Sequence, residues 1–208
     1  MLAIIDYGFG NIRSVHKALL EAGAKDVVIT HDPQTIKNAD KLVLPGVGAY
    51  AQCMGGILAI DGLLDVLEEK VLKNGAPFLG ICVGMQLLAD FGVEFENIKG
   101  LGWISGKVTK LEPQNHDLKI PQMGWNEVAP NSCKYFDKAW DGQTKDVYFV
   151  HSYAFRAENT ENIAASCTYG ADTFAAAVQK DNIFGVQFHP EKSQKAGLKL
   201  LNAWLEND

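Results

Sequence analysis

A cysteine with a glycine two residues to either side sits in Phe78-Leu79-Gly80-Ile81-Cys82-Val83-Gly84-Met85-Gln86, where an apolar run passes into a helical pattern. This spacing is that of a nucleophile elbow. A sharp strand-to-helix turn crowds its neighbours, glycines relieve the crowding, and the apex side chain projects into a cleft. A helix starting there would aim its amide dipole at Cys82, favour the thiolate, and offer the Val83 N–H to a developing oxyanion. Free cysteine is also among the most buried residue types, so G-x-C-x-G alone points as readily to the core. Cys53, Cys133 and Cys167 lack flanking elbow glycines and are assigned to packing or surface.

A cysteine nucleophile needs a base, and the base needs a group to fix its tautomer. Gly185-Val186-Gln187-Phe188-His189-Pro190-Glu191 can supply both, because His189 and Glu191 share one side of an extended i, i+2 segment. A lone HxE is otherwise a solvated strand-end histidine beside a helix-starting glutamate. His16, His31 and His116 stand in polar or helical surroundings and read as surface residues. Leu44-Pro45-Gly46-Val47-Gly48-Ala49-Tyr50 follows a buried strand, and its glycines bring backbone amides within reach of a ligand. An oxyanion-binding loop and an ordinary βα turn fit that string equally. It has neither GxGxxG nor Lys-Ser/Thr, which argues against a phosphate cradle.

The elements that must hold these groups alternate in the first half. LAII (2–5), Ile12 to Leu20, VVIT (27–30), LVL (42–44), Ile57 to Leu72 and FLGI (78–81) predict βαβ units around a parallel sheet. Ile12, Val15, Leu19 and Leu20 are expected on one face of the first helix, with Gly23 as its stop. The second half is richer in strands: 106–111, 147–153, 163–169 and 183–188, several of them antiparallel. A closing helix is expected from Ser193, as cap, to Leu205. No linker, repeat or low-complexity tract interrupts the chain, so 1–208 is read as one domain.

The 208 residues carry 25 acidic and 19 basic side chains, a formal charge of −6, without a Lys/Arg cluster. That balance offers no footprint for nucleic acid or an anionic membrane. The four cysteines form no CxxC pair, which suits a reducing compartment, and metal-ligand spacing is absent. No metal or cofactor is expected. Residues 42–60 are uncharged, but Pro45, Gly46, Gly48, Gln52 and Gly55-Gly56 break the run into strand, loop and helix rather than a membrane span. The start, MLAIIDYGFG, lacks a basic n-region. A cytoplasmic protein is the expectation.

Elbow cysteine, later HPE and earlier PGVG, in this order, resemble the class I, triad-type glutamine amidotransferases. Within that family, DYGFGN (6–11), GICVGMQLL (80–88), PQMGWN (121–126), YFVHSY (148–153) and GVQFHPEKS (185–193) resemble the glutaminase subunits of imidazole glycerol phosphate synthases, over essentially the whole chain. The resemblance implies an α/β fold with a flavodoxin-like, largely parallel sheet flanked by helices and an antiparallel β-rich C-terminal half. It implies hydrolysis of L-glutamine to glutamate and ammonia through a γ-glutamyl thioester on Cys82, with His189 and Glu191 as relay. It further implies a heterodimer with a (β/α)8-barrel cyclase that takes up the ammonia in histidine biosynthesis. By matching position, Val47, Gly48 and Val83 are expected at the oxyanion hole, the Val47–Gly48 peptide completing it only when the partner is liganded. Gln86, Glu94, Tyr148, His151 and Ser152 are expected around glutamine. Asn11, Arg13, Gln122, Met123, Trp125, Asn126 and Lys192 are expected at the partner. Val83 stands where leucine is commoner, and the stretch 89–94 lacks the acidic-serine run of relatives. Glutaminases of pyridoxal phosphate or anthranilate synthesis share the triad, although PQMGWN and DYGFGN argue against them. A catalytically silent binding module is the alternative from another class.

Overall fold

The structure, a computed structural model, describes residues 1–114 and 117–206; His116 lies outside the described residues. Its strands are β1 (Leu2–Ile5), β2 (Val27–Thr30), β3 (Lys41–Gly46), β4 (Phe78–Cys82), β5 (Phe91–Val93), β6 (Asn97–Lys99), β7 (Gly106–Lys110), β8 (Gln122–Pro130), β9 (Lys145–His151), β10 (Tyr153–Ala157), β11 (Ile163–Tyr169), β12 (Asp172–Lys180) and β13 (Ile183–Val186). Its helices are α1 (Ile12–Glu21), α2 (Pro33–Lys37), α3 (Tyr50–Leu58), α4 (Leu63–Glu68), α5 (Val83–Gln86), α6 (Lys134–Trp140) and α7 (Gln194–Leu205).

The larger sheet runs β2-β1-β3-β4-β13-β12-β11-β8-β9. Its first five strands are parallel, and from β13 outward every pairing is antiparallel. Burial follows that division. β1, β4 and β13 are buried at every residue, as strands covered on both faces must be, whereas β8 alternates between inward and exposed positions. A second sheet, β10-β7-β5-β6, packs beside it.

The parallel core decides where chemistry occurs. β4 lies between β3 and β13, with Gly46 opposite Cys82 and Val186 opposite Ile81. The carboxyl ends of three neighbouring strands therefore converge, and each emits one of the motifs singled out above. Crevices beyond such strand ends are where open α/β sheets bind ligands.

Several local expectations differ. On α1, Leu20 is 45% exposed, and Ala18 takes its place beside Val15 and Leu19 in the core. The helical pattern from 57 to 72 is split. α3 begins earlier, at Tyr50, and Gly62 at φ +73° separates it from α4, which runs on into a π-helical turn at Glu69–Lys73. Within PQMGWN, Gln122 to Asn126 form the start of β8, the long partner of β9. Among the described residues no single helix is long and apolar enough to cross a membrane.

Candidate active site

Cys82 ends β4 at φ 55° and ψ −112°, a conformation that L-residues avoid, that costs about 1–3 kcal/mol and that persists only where the surroundings enforce it. Three glycines enforce it. A Cβ on Gly80 would strike the Gly84 backbone, one on Gly84 would strike the Leu44 carbonyl, and one on Gly46 would lie 2.7 Å from both the Gly84 nitrogen and the Tyr7 hydroxyl. The end of β3 and the elbow thus interlock through positions where only glycine fits. The following helix, α5, holds only four residues, so it sums few peptide dipoles and supplies less field at Cys82 than a full helix would.

β13 delivers the relay. Beyond it, His189 is held by its N–H to the Tyr148 carbonyl at 2.9 Å. The chain does not stay extended but turns into a 3₁₀ segment at Pro190–Lys192, and that turn brings Glu191 Oε1 to 2.8 Å from His189 Nδ1. Both side chains are almost wholly buried. Burial opposes a charged ring, but the nearby Cys82 sulfur and the hydrogen-bonded Glu191 carboxylate outweigh it and push His189 up to about 10. His189 Nε2 forms no full hydrogen bond among the described residues, although the ring is near enough to the sulfur to feel it. Such a loose pair is ordinary for a nucleophile and base without substrate.

Ser193 does not cap α7 with its side chain. Its hydroxyl donates to the His189 carbonyl at 2.7 Å and accepts from the Tyr148 N–H at 3.0 Å. The relay turn is thereby stitched to β9.

Cys82 and His189 open into a cleft of about 310 Å³ shared with Val47, Gly48, Val83, Gln86, Glu94, His151 and Ser152. Gln86 Nε2 donates to the Tyr153 carbonyl at 2.8 Å and to Gln187 Oε1 at 2.9 Å. A backbone carbonyl only accepts, so the first bond fixes the orientation of the Gln86 amide and the second fixes that of Gln187. Gln187 Nε2 is then left facing Cys82 Sγ, at 3.7 Å. With both Nε2 protons used, Gln86 has only its carbonyl oxygen to offer a ligand, which suits an ammonium. Glu94 sits in the turn between β5 and β6, where Oε2 accepts the Tyr50 N–H at 2.9 Å. His151 is buried, and burial lowers it to about 4. Nδ1 lies 2.8 Å from the Tyr153 carbonyl and Nε2 2.8 Å from Gln122 Oε1, both acceptors, so the neutral ring donates to one of them and the protonated ring to both.

Tyr148 is not brought into this cleft. It stands outside, edge-on to Trp125 at 6.1 Å and beneath Lys192 Nζ at 5.6 Å. Of the residues expected at a partner, Met123 and Trp125 are 64% and 47% exposed and Arg13 and Lys192 are exposed. Asn11 is half-buried, and Asn126 ties its amide to the Thr168 carbonyl at 3.1 Å. Gln122 alternates with Met123 along β8, turns inward and is buried against His151. Its side chain faces this chain's own interior. Gln187 and Ser193 were missed as site residues by sequence reasoning. For Gln187 a signal existed, since a glutamine inside the apolar run 183–188 requires buried partners.

An elbow cysteine, a buried histidine–carboxylate pair and an adjoining amide-rich loop on a parallel sheet define a triad-type hydrolase site. A family model for class-I glutamine amidotransferases matches residues 3–206, and the chain belongs to that family. It is 48% identical, over 99% of its length and 95% of the relative's, to the imidazole glycerol phosphate synthase subunit HisH of Zymomonas mobilis. It is 46% identical to the protein of that name from Brucella suis, over 99% and 98%. Among solved structures, a glutamine amidotransferase superposes with TM-score 0.74 at 17% identity, covering 99% of this chain and 97% of the other. PurLQS of Thermotoga maritima superposes with TM-score 0.73 at 21% identity, over 98% and 96%. At such identities the two likenesses speak for the fold.

Proposed function

We propose that the chain is the ammonia-donating subunit of an imidazole glycerol phosphate synthase, that 1–208 acts as one glutaminase domain, and that Cys82, His189 and Glu191 carry its chemistry. The observation that carries this reading is the strained Cys82 elbow facing the His189–Glu191 pair across one small cleft. As Cys82 gives its proton to His189, its sulfur adds to the amide carbon of glutamine, and the oxygen gathers negative charge against the Val83 N–H and the Val47–Gly48 peptide. Protonated His189 gives its proton to the departing nitrogen, ammonia leaves and a γ-glutamyl thioester remains. Neutral His189 then takes a proton from water as its oxygen attacks the thioester carbon. Collapse of that adduct returns the proton to sulfur and releases glutamate. Glu191 holds Nδ1 and supports the imidazolium throughout. Gln86, Glu94, His151 and Ser152 hold the amino acid, with the Gln86 carbonyl and the Glu94 carboxylate suited to its ammonium.

The acceptor is a (β/α)8-barrel cyclase that consumes ammonia to form imidazole glycerol phosphate and an aminoimidazole carboxamide ribotide, in the cytoplasm. The names of the relatives support this, as do exposed Met123 and Trp125 on one face of β8. The test is glutamine hydrolysis by the purified chain, alone and with a barrel cyclase and its nucleotide ligand. Turnover is expected to rise at least about tenfold on full assembly and to vanish in Cys82→Ala. Unchanged turnover on assembly would remove the cyclase reading, and an active Cys82→Ala would remove the catalytic one.

A further inference from the structure

Glu94 touches two things at once. One oxygen accepts the Tyr50 N–H, the first amide of α3, only two residues beyond Gly48. The carboxylate also lines the cleft beside Gln86, and its second oxygen has no hydrogen bond among the described residues. Tyr50 is gripped by the same β5–β6 hairpin. Its ring lies against Gly92 and its hydroxyl against Gly100, both so close that a Cβ at either glycine would collide with it. Further along α3, Cys53 points its thiol back at the Val47 carbonyl, at 3.7 Å. The peptides of the 46–49 loop are therefore tied at both ends to α3, and the start of α3 is tied to the hairpin. Gly48, at φ +110°, is where the loop between those ties can swivel.

We propose that Glu94 is a positioning residue that links the head group of glutamine to the Val47–Gly48 loop, holding the start of α3 with one oxygen while the other receives the substrate's ammonium. An ammonium drawn to the free oxygen braces the carboxylate, and through Tyr50 it braces the end of the loop that borders the reacting carbon. Substrate occupancy then favours one loop geometry over others, in proportion to its differential interaction with them. The inference rests on Glu94 being a glutamine ligand and adds what that ligand transmits.

Two substitutions separate binding from transmission. Glu94→Gln keeps an acceptor for the Tyr50 N–H and removes the charge; Glu94→Ala removes both. In the assembled, ligand-activated enzyme both variants are expected to raise KM by about tenfold or more; kcat is expected to fall about threefold in Glu94→Gln, which loses the ammonium brace but keeps the Tyr50 tie, and about thirtyfold in Glu94→Ala, which loses both. In the resting full-length chain, hydrogen exchange across 46–53 is expected to quicken at least about tenfold in Glu94→Ala and to stay within about threefold of wild type in Glu94→Gln, with β1 protected alike in all three. Equal kcat in the two variants, or exchange across 46–53 unmoved by alanine, overturns the proposal. A wild-type chain that hydrolyses no glutamine would instead sink the functional reading, and the exchange experiment would still decide the link.

Discussion

On the floor of the cleft, Cys82, Gln187 and His189 are buried and each is fixed by groups from a different element, while at its rim Val47 and Val93 are 39% and 41% exposed. The floor is over-determined: interlocked glycines set the backbone, two amides set each other's orientation, and Ser193 pins the relay turn. The rim hangs on fewer ties, Glu94 to Tyr50 and Cys53 to Val47 among them, and the β5–β6 hairpin beside it exposes apolar side chains at Phe91, Val93 and Phe95. Proton transfer and covalent attack demand fixed, dry geometry. Donors for a charge that forms only during reaction can be completed later, by substrate or by whatever covers the apolar rim.

If the floor is rigid because only glycine fits, Gly84→Ala should be the most damaging change. It is expected to lose more than about 3 kcal/mol of stability in chemical denaturation, since the clash is with the Leu44 carbonyl rather than a movable side chain. A wild-type midpoint would break the comparison at its base. Next in size, Glu191→Gln should lower kcat about 100-fold with KM nearly constant, because the imidazolium loses its charge partner while the cleft keeps its shape. A parallel rise in KM would place Glu191 among the binding groups instead.

Acid should find the floor through His151. Its folded value of about 4 lies below the ordinary 6.5, so the unfolded chain takes up the proton first. The stabilisation is complete above pH 6.5 and drains away as pH falls toward 4, by roughly 3 kcal/mol at most. Denaturation midpoints at pH 7 and pH 4.5 should diverge less in His151→Gln than in wild type, and identical divergence would refute this. Smallest is Gln187→Met, expected to reduce kcat about tenfold by removing the donor facing sulfur and leaving a Gln86 N–H without its acceptor. Loss confined to KM would mean that Gln187 merely shapes the pocket.

The parts of the floor legible in the sequence were those written in residue type. Gly80 and Gly84 announce a turn that admits no Cβ, and βαβ rhythm places that turn at the end of a central parallel strand. His189 and Glu191 are two apart, so almost any local backbone lets them meet, and the 3₁₀ turn in place of an extended segment did not matter. What stayed hidden depends on distant chain. Ser193 looks like a helix cap until β9 arrives to offer the Tyr148 N–H, and Gln187 finds its partners 101 and 105 residues away. The place of Glu94, in a turn that folds back over Tyr50 after a helix of four residues, is set by the β5–β6 hairpin and not by the motif. The inward face of Gln122 was set by the pairing of β8 with β9, which six residues of motif do not contain.

Trp125 gives the molecule its own optical probe. Trp103, Trp140 and Trp204 are all buried, so water and collisional quenchers such as acrylamide reach essentially one indole, the one lying edge-on to Tyr148 on the outer face of β8. A partner that settles over that face would dry the ring, moving its emission to the blue and shielding it from the quencher. Complex formation could thus be followed in real time by unlabelled fluorescence, without waiting for turnover.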